Sequence, residues 1–213
     1  MDEDLSELER YELAKKWWKD NYQSILAGAF LAVVIVGGWR YWQYRVTTRS
    51  ETASALFAQM SEAVAAKDTA GAAKLGGQLM SEYDDTPYAT QAAFALAQQD
   101  ASNGKPDDGA KMLEWVLQHG SDDGLKLLAR LRLARIKLAN GTAQAALDEL
   151  AGVDAGGFTP LYDDLRGDAY VKLGKPDEAR AAYQKAIAAW TDALGDHAFI
   201  DMKLNSLPTK VSK

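Results

Sequence analysis

The side chains of this 213-residue sequence that could do chemistry are few. Cysteine is absent, which removes thiolate nucleophiles, Fe–S clusters, disulfides and Cys-based zinc sites together. The two histidines, His119 and His197, are too few for a histidine metal cluster. Four acidic doublets remain: Asp84-Asp85, Asp107-Asp108, Asp122-Asp123 and Asp163-Asp164. Paired carboxylates can do acid/base work or hold calcium, but no EF-hand spacing surrounds any of them. Each falls near an expected turn or helix start, where Asp satisfies free backbone N–H groups and the positive end of the helix dipole. His119, just before Gly120, suits a helix C-terminus. Neither G-x-x-x-x-G-K-[ST], H-E-x-x-H, G-x-S-x-G nor G-x-G-x-x-G after a strand occurs. The sequence therefore offers no catalytic, cofactor-binding or metal-binding residues, and an enzyme would need a site of carboxylates, Lys and hydroxyls alone.

With chemistry set aside, the elements themselves carry the reading. The net charge of −6 is uneven: residues 1–49 hold seven Lys/Arg and seven Asp/Glu, and residues 50–213 hold seventeen and twenty-three. An acidic C-terminal part without a basic, aromatic-interleaved stripe lacks the footprint that nucleic acids demand.

Nineteen uncharged residues separate Asp20 from Arg40, about 28 Å of helix against a hydrocarbon core of about 30 Å. Trp17, Trp18 and Tyr22 border one end, and Trp39, Tyr41, Trp42 and Tyr44 the other. Aromatic rings favour the headgroup layer, and Arg40 can snorkel beside them, so Trp17, Trp18, Trp39, Arg40, Tyr41 and Trp42 are the expected interface anchors. A buried core helix would seldom be uncharged all round. A cleaved signal peptide could use Ala53-Ser54-Ala55, but Arg40, Arg45 and Arg49 separate that site from the apolar run. Flanking basic residues, four before and three after, lean only slightly toward an N-terminus inside.

Beyond the span, apolar residues recur at helical rather than alternating intervals. Turn signals punctuate them at Lys67-Asp68, Asn103-Gly104-Lys105-Pro106, Asn140-Gly141 and Gly174-Lys175-Pro176. Lys67, Gly104, Gly141 and Gly174 stand 37, 37 and 33 residues apart, the period of stacked helical hairpins. In the last unit Gly167, Tyr170, Gly174, Ala179, Tyr183, Ala186 and Ile187 occupy the small, aromatic and turn positions of a tetratricopeptide repeat. The first unit keeps Met60, Ala72, Leu79 and Met80 but lacks the turn glycine. The expected fold is all-α, a single N-terminal transmembrane helix followed by a tetratricopeptide-like solenoid. Its segments are a cytoplasmic tail (1–20), a transmembrane helix (21–42), a juxtamembrane linker (43–52), about four hairpins (53–195), and a capping helix with the C-terminal tail (196–213).

One hairpin cannot bury its apolar face, whereas a stack builds a continuous core and a concave surface lined by each first helix. The register puts Phe57, Ser61, Phe94, Gln98, Leu131, Arg135, Asp164 and Asp168 on that surface as candidate protein-binding residues. The same register allows Phe57, Phe94 and Leu131 to be core.

Four runs narrow the reading: Gly38-Trp39-Arg40-Tyr41-Trp42, Leu131-Arg132-Leu133-Ala134-Arg135, Asp164-Leu165-Arg166-Gly167-Asp168, and Met202-Lys203-Leu204-Asn205-Ser206-Leu207. In this order they resemble the bacterial YfgM family, the ancillary subunit of the SecYEG translocation channel; residues 1–20 are not matched. The resemblance implies an inner-membrane protein with a periplasmic domain. It also implies partnership with SecYEG and the membrane-anchored chaperone PpiD, and a part in passing translocating polypeptides to periplasmic chaperones. A membrane-tethered scaffold for another envelope assembly is the alternative.

Overall fold

The computed structural model describes residues 7–191 and 194–208. The first residues of the expected tail (1–6), two residues near the end of the repeats (192–193) and the last five of the C-terminal segment (209–213) lie outside them. All regular elements described are helical: α1 (Glu7–Ala65), α2 (Thr69–Glu82), α3 (Pro87–Ser102), α4 (Pro106–His119), α5 (Asp123–Ala139), α6 (Ala143–Leu150), a 3-10 turn (Gly156–Phe158), α7 (Thr159–Lys172), α8 (Pro176–Ala188) and α9 (Ala198–Asn205). They fall into two compact units, Met1–Glu51 and Thr52–Lys213.

The first unit contains most of α1. The apolar window within this helix is long enough to cross a membrane, and none of it is covered by protein. Phe30 is 72% and Val33 70% exposed, so this is not a core helix. Apolar side chains uncovered all round have hydrocarbon as their matching solvent. Residues 43–52, expected as a linker, are instead helical within α1. No glycine or proline stands between Trp39 and Ala70, so nothing in this stretch breaks the helix.

In the second unit the end of α1 pairs with α2, α3 with α4, α5 with α6 and α7 with α8, and α9 packs on α8. Each hairpin turns through one residue in the left-handed region: Lys67 (φ 59°), Gly104 (φ 74°), Gly141 (φ 81°) and Gly174 (φ 69°). In every case the N–H of the following residue donates to the carbonyl five back: Asp68 to Ala63, Lys105 to Asp100, Thr142 to Lys137 and Lys175 to Tyr170. This closes the helix end and reverses the chain. The first hairpin thus makes the same turn without glycine. Asp68 then accepts a hydrogen bond from the Gly71 N–H at 2.9 Å and starts α2.

Five residues after each turn residue stands Ala72, Gly109, Ala146 or Ala179, all buried, and seven before it stands Met60, Ala97, Ala134 or Gly167, also buried. Except at Met60, the groups here are small and bring the paired helices close; a Cβ on Gly109 would lie 2.8 Å from the Ala97 carbonyl oxygen. A Cβ on Gly167 would overlap the Tyr183 ring.

Gly167→Ala should therefore lower unfolding free energy by about 1–3 kcal/mol through overpacking. Gly77→Ala, where a Cβ meets nothing within 4 Å on the exposed side of α2, should raise it by about 0.5–1 kcal/mol. Urea unfolding of the full chain in mild detergent checks both signs.

Candidate protein-binding face

The end of α1 together with α3, α5 and α7 supplies the first helices of the four hairpins, and the candidate residues on them fare differently. Phe57 is half-buried, packed in the first core cluster with its ring 6.0 Å from that of Tyr88. Ser61 is exposed, and its hydroxyl donates to the Phe57 carbonyl at 2.9 Å. Phe94 is half-buried beneath the Arg132 guanidinium, 5.0 Å from the ring centroid, where a cation is held by the ring quadrupole. Gln98 and Arg135 are exposed and line cavities. Leu131 corrects the expected register: only 1% exposed, it belongs to the core with Ala134, Leu150 and Tyr162. Its neighbour Arg132 takes the outward position.

Asp164 and Asp168 are not open either. Both receive the Lys203 ammonium of α9, Asp164 at 2.9 Å and Asp168 at 2.8 Å, and Asp168 also accepts a 2.7 Å hydrogen bond from the Tyr183 hydroxyl. Burial holds the Asp164 carboxyl above its ordinary 3.8, against the hydrogen bond and charge of Lys203, which pull it down. Burial, and then the bond to Asp168, push the Tyr183 phenol up. The partner doublet residue Asp163 pairs with Arg166 at 2.7 Å. Asp163-Asp164 is thus an ion-pairing site inside α7 and not a cap. Asp122, by contrast, caps α5 by accepting from the Leu125 N–H at 2.7 Å, and Asp107 and Asp108 sit in the first turn of α4. His119 ends α4 with its ring stacked on Trp115, 4.7 Å between centroids.

Two cavities adjoin at Gln98. One, about 520 Å³, lies between the end of α1 and α3 and is lined by Val64, Lys67 and Ala95 among others. The other, about 350 Å³, lies between α3 and α5, with Ala97 and Leu113 below and Arg132, Arg135 and Ile136 along one wall. A third, about 470 Å³, is bounded by α2, α3 and α4 and contains Met80, Met112, Trp115 and Asp100. Arg132 was available from the sequence, being less than one helical turn from Arg135 in the same run; Lys67 read only as a turn.

Residues 15–209 match the family model of a tetratricopeptide repeat-like domain. The chain is 30% identical to the ancillary SecYEG translocon subunit of Escherichia coli (strain K12) over 205 residues, 95% of this chain and 97% of that one. The chain belongs to this family. Proteins of the same name from Aggregatibacter actinomycetemcomitans (27% identity, 85% of this chain and 89% of the relative) and Neisseria gonorrhoeae (26%, 95% and 98%) are also similar. No solved structure matches. With its long apolar N-terminal helix, this member of the family is a membrane protein.

Lys203 can be tested as the latch of α9. Because folding raises the Asp164 value, its charged form costs stability at neutral pH, and the cost fades as pH falls through the folded-state value. Lys203→Met deletes the two largest influences that hold that value down and leaves the weaker pull of Arg135. The variant should lose about 1–3 kcal/mol near pH 7, a buried-pair penalty reduced for partial exposure. The deficit should shrink as pH falls and the raised Asp164 carboxyl protonates. Urea unfolding of both proteins across that fall in pH would show a pH-independent deficit if the ion pair were not responsible.

Proposed function

We propose that this chain is a non-enzymatic accessory subunit of the SecYEG translocon. In this reading α1 crosses the bacterial inner membrane once, and Trp17 and Trp18 on one side and Trp39, Arg40, Tyr41 and Trp42 on the other sit in the headgroup layers. The hairpins stand in the periplasm, bind protein partners including PpiD, and help pass translocating polypeptides to periplasmic chaperones.

The observation that carries this reading is the match to relatives of one name over nearly the whole length of both chains, membrane helix included. The exposed side chains on the first-helix face, with two cavities meeting at Gln98, supply a surface suited to another chain.

A photo-crosslinking residue at Gln98 or Phe94, activated in intact membranes, should capture SecY, SecE, SecG or PpiD. Adducts consisting only of secretion or outer-membrane insertion proteins would favour a scaffold for another envelope assembly and sink the translocon reading. Protease added to unlysed spheroplasts should digest the repeats; their protection would place them in the cytoplasm.

A further inference from the structure

The two cavities that meet at Gln98 share a charge property opposite to that of the chain. The protein carries a net −6, and residues 50–213 have six more acids than bases. Yet the charged residues lining these cavities are Lys67, Arg132 and Arg135, with no carboxylate among the described lining residues. The third cavity differs, since its charged side chain is Asp100. Elsewhere in this unit five cations are paired with carboxylates: Lys137 and Arg130 with Glu149, Arg166 with Asp163, Lys111 with Asp108 and Lys203 with Asp164 and Asp168. Arg132 instead stacks on Phe94. Arg135 makes no hydrogen bond or ion pair among the described residues; its charge acts on Asp164, whose direct partner is the Lys203 ammonium that it shares with Asp168.

The rest of the lining is amide, hydroxyl and short apolar. Gln98, Gln99 and Asn103 present side-chain amides that can both donate to and accept from a peptide backbone. Ala97, Ala101 and Leu113 floor the space beside the arginines. A planar guanidinium can hold a carboxylate through two parallel N–H···O bonds, and two arginines less than a turn apart on one wall can share it.

Resting on the proposal that this face binds polypeptides, we infer that the groove from Lys67 past Gln98 to Arg132 and Arg135 recognises an acidic segment of its partner in extended form. The carboxylates sit on the arginines, and the intervening backbone lies against the side-chain amides. Charge complementarity with the cation-only lining selects this occupant over a basic or purely apolar one.

The test uses the full chain in mild nonionic detergent and a fluorescein-labelled peptide of Glu, Ala and Leu, beside the same peptide with every Glu replaced by Gln. Anisotropy titrations should show the Glu peptide binding about tenfold tighter, as a charge-assisted bond predicts. Arg135→Gln should erase most of that preference while leaving the circular dichroism spectrum unchanged, and Arg135→Lys should retain part of it. Arg132→Lys should weaken the Glu peptide alone. Equal binding of the two peptides, or an undiminished preference in Arg135→Gln, overturns the inference. So does displacement of the Glu peptide by inorganic phosphate at fixed ionic strength, which would make this a site for small anions or headgroups. The proposed translocon role is read separately, by crosslinking of the Arg135→Gln chain to SecYEG or PpiD. Capture without Glu selectivity defeats the acidic-segment inference alone.

Discussion

Inside each hairpin, the residue seven before the turn residue faces the one nine after it, and the two must share a fixed volume between helices that a short turn holds together. Met60 meets Gly76, Ala97 accompanies Leu113, Ala134 accompanies Leu150, and Gly167 lies under Tyr183. One member is always small and the other fills the space it leaves. Interiors pack at crystal-like density, so neither two large residues nor two small ones would serve. The order of sizes is free to invert, as it does in the first hairpin. Because this pair sets how closely the helices approach, it also sets how each hairpin presents its outer faces to the next.

The turn completes the constraint. A left-handed residue normally calls for glycine, and Lys67 bears the cost of a side chain there, about 1–2 kcal/mol for an L-residue. The bond from Asp68 to Ala63 and the cap at Gly71 offset it locally. At the other end of the stack α9 takes the place that a further first helix would occupy. Ile200 and Leu204 enter the cluster of Ala179, Tyr183 and Ala186, and Lys203 bridges two half-buried carboxylates of α7. Phe199 and Met202 remain 62% and 59% exposed, so the cap covers the last hairpin without itself being covered.

The turns, the buried small residues and the apolar anchor were all legible in the sequence because each is a local pattern with a fixed period. What escaped was relational. The first hairpin departed from the repeat pattern in lacking the turn glycine; that its large residue, Met60, is matched by the small partner Gly76 is visible only in the structure. Leu131 and Arg132 differ by about 100° around α5, and periodicity alone could not tell which of two adjacent positions faced outward. Asp164 and Asp168 were placed on the right helix, but the lysine that occupies them lies 39 and 35 residues away. The stretch 43–52 read as a linker by its position after the span, although its composition contains no helix breaker.

Electrostatics sets how the first-helix face can work. An acidic chain repels an acidic partner at long range, but at physiological ionic strength that field decays over about 8 Å. Inside a groove walled by Arg132 and Arg135, with no carboxylate among the described lining residues, contact attraction would replace it. Selection in such a site comes from short-range geometry and not from steering, so encounter is slow and discrimination resides in how long a bound segment stays. Under the proposed function, a groove floored by alanines and one leucine would hold a segment by a few charged contacts and release it readily, the kinetic behaviour that transient handling of polypeptides requires.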